Sequence, residues 1–448
     1  MHVVERFAQF AVDLRARPLA PEVLHHARRA VIDWYAAVLP GAVVPPATLL
    51  ERALADEELD RGGAALVTGR RATARAAALI NGTAAHTVEV DDIFKDAIFH
   101  PGAPTIAAAL SAALESNASG AAFLRAVVVG YEISTRIGAA MGREHYRYWH
   151  NTGTIGSFGA AAACAEMYGL DRERFAHALA TVTTFAAGLQ QAFRMDSMSK
   201  PLHAGRAAEA GLLAAQFARE GVIGSLDVIE GEAGFGRAMG AAPDWDAALA
   251  TLGTAWHITQ MTFKNHACCG HTFAAIDGAL ALQRKLGVAH GDIIGVRVAT
   301  YRPALDVAGI ENPATAAEAR FSLKYVIATA LVHGSVRLAA FDPARLRDPA
   351  TRALMARIET AVDPELDAVF PGQRAARLTL STREGRSESL LQPTRKGDPD
   401  APLSDAELED KFHELAGAVL GAARARDLVA QLWALDRAPD LGFARAPR

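Results

Sequence analysis

Near residue 262 the chain changes its hydrophobic period, and this change limits the folds open to it more than any other feature. Up to that point apolar residues recur at helical spacing in one run after another. Pro21 opens a helix in its first turn; Val23, Ala27, Ala30, Val31, Trp34 and Val38 mark its apolar face, and Pro40-Gly41 is the expected stop. Residues 62–69 read as a loop or a short extended piece, and further helices are expected over 73–91, 103–116, 121–141, 153–168, 172–191, 203–220 and 244–252. Strands are expected at 257–262, 294–300, 377–382 and 386–390, the last two flanking the hairpin signal Glu384-Gly385. Helices over 272–286, 322–332 and 349–360 alternate with them. After a polar linker, 393–402, Ser404-x-x-Glu407 forms a capping box, and a last helix carries Leu408, Phe412, Leu415 and Val419 on one face. The expected fold is mainly α. A large all-helical domain is built from both chain ends, 1–262 and 399–448, with a smaller inserted α+β lid domain at 263–398.

Composition narrows the function. A net charge of -4, with no basic stretch interleaved with aromatics, gives no case for nucleic-acid binding. No uncharged apolar run is long enough to span a bilayer, and Glu5 and Arg6 interrupt any export signal, so a cytoplasmic protein is expected. The only cysteines are Cys164, Cys268 and Cys269, too few for a disulfide framework and without C-x-x-C spacing. The expectation is therefore chemistry by side chains, with no metal and no cofactor. Lysine is scarce beside arginine. A retained lysine then draws interest, because an ammonium can give up its proton on desolvation and a guanidinium cannot.

Chemistry-bearing residues gather in a few stretches. In INGTAAHTVEVDDIFKDAIFHPGAPT, residues 80–105, a periodic run leads to His86, Glu89, Asp91 and Asp92, then to His100 just before Pro101. Two carboxylates are expected at a helix C-terminus, where the macrodipole disfavours them. His100 is expected beside the N-terminus of the next helix, which favours a neutral, proton-accepting imidazole. The bland alternative is a solvated helix end and a turn histidine. Ser199-Lys200-Pro201-Leu202-His203 places Lys200 at a helix start that suits a carboxylate and could tune the amine towards a base. Lys264-Asn265-His266-Ala267-Cys268-Cys269-Gly270-His271 reads as a domain-joining loop with Lys264 facing a cleft, adjacent cysteines being poor co-ligands for one zinc. The glycines of 150–159 indicate close helix packing, with His150, Asn151 and Thr152 offering polar contacts at the helix start. Arg320-Phe321-Ser322-Leu323-Lys324-Tyr325 opens a helix with two cations, a hydroxyl and a phenol.

Together these pieces resemble the MmgE/PrpD family, which includes 2-methylcitrate dehydratase, cis-aconitate decarboxylase and iminodisuccinate epimerase. The motifs are NG-x-x-x-H-x-x-x-x-DD with HPG (81–102), HNTGTIGSFGAAAA (150–163), SKPLHAGRAAEAG (199–211), GEAGFG, KNHACCGH and RFSLKYV (320–326). The resemblance implies a helical first domain, an α+β lid, a homodimer and a cofactor-independent site between the domains for a small di- or tricarboxylate. It makes Asp92, His100, Lys200, Lys264 and Tyr325 catalytic, with Asp92 orienting a histidine. His86, His150, Thr152, His203, His271 and Arg320 would bind substrate. Phe273 stands where the family often has a histidine, with His271 two residues earlier, and Cys269 falls where decarboxylase-type members carry one. The expected activity is a 2-methylcitrate dehydratase-like lyase that takes a proton α to a carboxylate. The alternatives are an imino- or amino-dicarboxylate epimerase, a cis-aconitate decarboxylase-like enzyme, and a non-catalytic polycarboxylate-binding protein.

Overall fold

The computed structural model describes residues 1–193, 197–240 and 243–445. It is mainly helical and forms two compact units, Met1–Thr262 with Ser404–Arg448, and Phe263–Leu403.

In the first unit the longer helices are α1 (Val3–Leu14), α2 (Pro21–Ala42), α3 (Ala74–Ala85), α4 (Gly102–Glu115), α5 (Gly120–Tyr146), α6 (Asn151–Met167), α7 (Arg172–Thr183) and α8 (Ser199–Arg219). α6 is buried on all sides from Asn151 to Glu166, with α4, α5 and α8 around it. Its glycines admit those neighbours. A Cβ at Gly153, Gly156 or Gly159 would lie 2.4 Å from Ala187 O, 2.6 Å from Pro104 Cγ or 2.5 Å from Thr105 Oγ1. This is the close packing expected from their spacing.

Several element boundaries differ from expectation. α2 runs through Pro40-Gly41 to Ala42, because its second half is core on every face and Gly41 lies directly against the Ala84 carbonyl. α3 stops at Ala85 with His86 as its C-cap, and Glu89 adopts φ 62°. Asp91 and Asp92 therefore stand in a loop, not on a helix end. α7 ends at Thr183 instead of continuing to 191. The expected strand 257–262 is a single 3-10 turn, His257–Gln260, with Thr262 bridged to Ile93.

The second unit contains α9 (Phe273–Leu286), β1 (Ile293–Thr300), α10 (Leu323–His333), β2 (Ile358–Val362), β3 (Ala376–Thr382) and β4 (Ser387–Gln392). The strand order is β2-β1-β3-β4, with β1 and β2 parallel and the other pairs antiparallel. β2 takes residues expected to end a helix. That helix stops at Met355, and the alternating β-branched residues Ile358, Thr360 and Val362 join the sheet edge.

The chain then returns to the first unit as α11 (Asp405–Leu420) and α12 (Ala422–Trp433). The Ser404/Glu407 capping box forms, and Leu408, Phe412 and Leu415 are buried as α11 packs on α2. No single helix among the described residues is long and apolar enough to cross a membrane.

Candidate active site

Between α3 and α4 the chain makes a tightly pinned loop. Ile93 and Thr262 exchange backbone hydrogen bonds of 2.8 Å, and Phe94 and Phe99 exchange bonds of 2.7 and 3.2 Å. The start of α6 holds its far side: Asn151 Nδ2 donates to Ala97 O at 2.5 Å, and Thr152 Oγ1 accepts the His100 N–H at 3.3 Å. Glu89 and Ile98, at φ 62° and 49°, lie within this loop. Such backbone costs about 1–3 kcal/mol per residue and persists only where the surroundings over-determine it.

The loop brings two imidazoles onto one carboxylate oxygen. His86 Nδ1 is 2.7 Å and His100 Nδ1 3.2 Å from Asp91 Oδ2. Burial pushes the Asp91 carboxyl up, but His100 and then His86 outweigh it and hold the group well below its ordinary range. His86 and Asp91 are inaccessible, whereas the His100 side chain keeps 12% of its surface exposed. His100 is thus the member of the group that a substrate can reach. Behind it the rings continue inward. His86 and His100 are 4.7 Å apart between centroids, His86 stacks on His150 at 5.3 Å, and His150 Nδ1 lies 3.0 Å from His203 Nδ1. Burial, followed by the neighbouring cations, lowers the pKa of His150 strongly and that of His203 as well.

Asp92 faces the other way, a correction to the expectation that it orients a histidine. It accepts hydrogen bonds from Tyr131 Oη at 2.7 Å and from the Gly102 N–H at 3.0 Å. Asp91 performs the orienting role instead. Successive residues of an extended loop point to opposite sides, so only one of the doublet can face the histidines. The same corner explains the glycine of the HPG segment: a Cβ on Gly102 would lie 2.7 Å from Tyr131 Oη and 2.9 Å from Asp92 Oδ1. Burial, then the Asp33 charge, raises the Asp92 carboxyl from 3.8 to about 8.

A stability prediction follows from that shift. The unfolded chain releases this proton near 3.8 while the folded chain keeps it to about 8, so the contribution of Asp92 falls as pH rises through that window and is flat above it. Asp92→Asn removes the titration. Urea midpoints of the variant are expected to decline less than those of the wild type between pH 5 and pH 8, whatever the constant cost of the substitution. Parallel curves would contradict the assignment.

Lys200 sits in the first turn of α8, not before it. Its ammonium forms an ion pair with Glu89 and lies 5.2 Å above the Phe193 ring, which packs edge-on against His150. A carboxylate partner suits a charge-bearing Lys200.

The remaining expected residues belong to the second unit. Lys264 is buried there. His266 Nε2 meets Asp277 Oδ1 at 2.9 Å, and Phe273 packs edge-on against the same imidazole. Cys268 is held 3.2 Å from Thr272 Oγ1, its thiol pushed up to about 12 by burial. The Cys269 N–H donates to the Arg320 carbonyl at 3.0 Å, and the Arg320 guanidinium lies 5.1 Å above the Phe341 ring. His271 Nδ1 is 2.9 Å from Tyr301 Oη, and burial, then Arg374, lowers it to about 4. Tyr325 is wholly buried and its hydroxyl donates to the Ala340 carbonyl. That contact makes its phenol an anchor within the α10 core.

His86, Asp91 and His100 are also the grouping whose ligand-capable atoms lie within 4.8 Å of one another among the described residues. The 2.7 Å separation of His86 Nδ1 from Asp91 Oδ2 is that of a shared proton, and His100 Nδ1 stands at ion-pair distance from the same oxygen.

Two family models match this chain, the MmgE/PrpD N-terminal domain over residues 5–248 and the MmgE/PrpD C-terminal domain over residues 266–435. The chain belongs to the MmgE/PrpD family. Among its relatives within the MmgE/PrpD group, a protein named cis-aconitate decarboxylase-like protein oryM, from Aspergillus oryzae, is 28% identical, the match covering 98% of this chain and 96% of the relative. The cis-aconitate decarboxylase of Homo sapiens is 28% identical over 77% of this chain and 73% of its own. That of Aspergillus terreus is 26% identical over 98% and 94%. The MmgE/PrpD C-terminal model extends through α11, a helix that folds into the first unit.

Proposed function

We propose that this protein is a cofactor-independent lyase that removes a proton α to a carboxylate of a small hydroxy-polycarboxylate, in the manner of 2-methylcitrate dehydratase. One observation carries the reading: a buried carboxylate, Asp91, shared by two imidazoles of which only His100 reaches solvent. An imidazole backed by a carboxylate is a base matched to neutral pH, and the carboxylate stabilises the imidazolium formed. His100 Nε2 takes the Cα proton, the electron pair forms the double bond, and the β C–O bond breaks. The departing hydroxide takes a proton from an acid of the site and leaves as water. Lys200 supplies positive charge for a substrate carboxylate and for the enolate-like state. Lyase names among the relatives support the same class. The working unit in this reading is a homodimer.

Decarboxylation of a cis-aconitate-like acid is the second form, favoured by the names of those relatives. It generates its carbanion by losing carbon dioxide and so needs an acid, not a base. Cys269, which by the resemblance falls where decarboxylase-type members carry a histidine, weighs against this form.

Citrate, 2-methylcitrate, cis-aconitate and iminodisuccinate-type acids, each followed by NMR in deuterated water, test the proposal. The expected result is loss of water from a hydroxy acid, with deuterium entering Cα on reversal. Carbon dioxide release would select the decarboxylase form, and Cα exchange with inversion alone the epimerase. Calorimetric binding of an acid without exchange or turnover would sink the enzyme reading in favour of a binding protein.

A further inference from the structure

The returning helix α11 places a lysine deep inside the first unit. Lys411 is 1% exposed, and its ammonium donates to Asp33 Oδ1 on α2 at 2.6 Å and to the carbonyl of Val90 at 2.7 Å. Asp33 is as buried as Lys411, and its other oxygen, Oδ2, has no hydrogen-bond partner among the described residues. Val90 immediately precedes the Asp91–Asp92 doublet. A buried cation is expensive unless paired, and burying two charges usually contributes little stability over an apolar pair of the same size. The arrangement therefore calls for another reason, and its second contact supplies one. Lys411 spans 321 residues of sequence to hold the peptide group immediately before Asp91. On the far side, the loop is pinned by Asn151, Thr152 and Thr262. On the near side, between Glu89 at φ 62° and Ile93, the Val90 carbonyl is the backbone group that Lys411 grips.

We propose that the Lys411–Asp33 pair is a positioning unit for the proton-transfer group: Asp33 holds the ammonium, the ammonium holds the Val90 carbonyl, and this keeps Asp91 Oδ2 between His86 and His100. The effect on turnover rests on the functional reading above, while the effect on the histidines does not. The C-terminal segment is then part of the catalytic apparatus of the first unit, although it touches no substrate. The titratable groups facing this arrangement are Asp33 and Arg29 from α2, Lys411 from α11, His86, Asp91, Asp92 and His100 from the loop, His150 at the start of α6, and Tyr131 from α5.

The test is Asp33→Leu with Lys411→Met, which replaces the ion pair by apolar side chains of similar size. Such exchanges are neutral or stabilising in other proteins, so a melting temperature at or above the wild-type value is expected. With the Val90 carbonyl released, kcat is expected to fall about 10- to 100-fold with KM nearly unchanged, the loss typical of a displacement of about 1 Å in a catalytic group. Imidazole NMR is expected to show the ring resonances of His86 and His100 displaced as the carboxylate moves away. A merely structural pair would leave kcat and those resonances untouched once the double variant was folded, and that result overturns the proposal. Should the apolar pair not fold, Asp33→Asn with Lys411→Met keeps a polar group on α2 while still releasing the Val90 carbonyl, and is read in the same way. The NMR comparison needs no substrate, so it decides the matter even if none of the acids turns over.

Discussion

Asp91→Asn is expected to lower kcat by about 10³-fold or more, with KM changed only a few-fold. An amide at this position still fills the space between the two imidazoles, so binding is little disturbed. Both rings face the same oxygen, so an amide that turns its NH2 there forces them to present lone pairs inward, and one that turns its oxygen there keeps the contacts without the charge. The imidazolium formed when His100 takes a proton also loses its buried counter-charge. His100→Ala removes the base itself and is expected to cost about 10²- to 10⁴-fold. The double variant should be little worse than either single one, because groups acting as a unit do not add. The pH dependence has a definite sign. Asp91 is held ionised well below its ordinary range by its two histidines, so its contribution is present above that range and is lost as pH falls far enough to protonate it. Steady-state kinetics on the acid identified by NMR measures all of this. Retention by Asp91→Asn of a tenth of wild-type turnover would remove Asp91 from the mechanism.

How much of this was legible in the sequence differs from one feature to another. The change of period near 262, the capping box at Ser404 and the glycines of α6 each encode local geometry, and each appears in the structure as local geometry. His86, His100, His150 and His203 could be picked out as candidates, but their contact, ring on ring, depends on how α3, α6 and α8 cross. Spacing does not carry that information. The Asp91–Asp92 doublet shows the same limit at short range. Motif resemblance pointed to Asp92, whereas the turn after α3, with Glu89 in the left-handed region, rotates Asp91 toward the histidines and Asp92 toward Tyr131. Tyr131 and Lys411 left no positional signal, being polar residues among others on amphipathic helices, with partners far away in sequence. Tyr325 gave a signal that misled, since a phenol at a helix start looks available until the Ala340 carbonyl is found against it.

The other large effect is expected at a residue with no side chain. Gly205→Ala should destabilise the protein by about 3 kcal/mol, at the upper end of what overpacking usually costs. The α3–α8 crossing is made glycine to glycine: a Cβ at Gly82 would lie 3.0 Å from Gly205 Cα, and one at Gly205 would lie 2.1 Å from Thr83 Oγ1 and 2.2 Å from the Leu79 carbonyl. Thr83 Oγ1 could rotate away, but the Leu79 carbonyl is fixed in the helix ladder, so the two helices must separate. Helix propensity opposes this by about 1 kcal/mol in favour of alanine, which is why the net figure is not larger. Gly417→Ala on α11 isolates that term, since nothing lies within 4 Å of a Cβ there; it is expected to stabilise slightly. Separation at the crossing also reaches the chemistry. α3 leads through His86 to Glu89, and α8 begins with Lys200, so spreading the helices draws Lys200 from Glu89. Activity at a temperature where Gly205→Ala remains folded should therefore fall as well, which a purely thermodynamic defect would not produce. Chemical denaturation of the two variants side by side is the measurement, and equal midpoints would show that the crossing has room it is not seen to have.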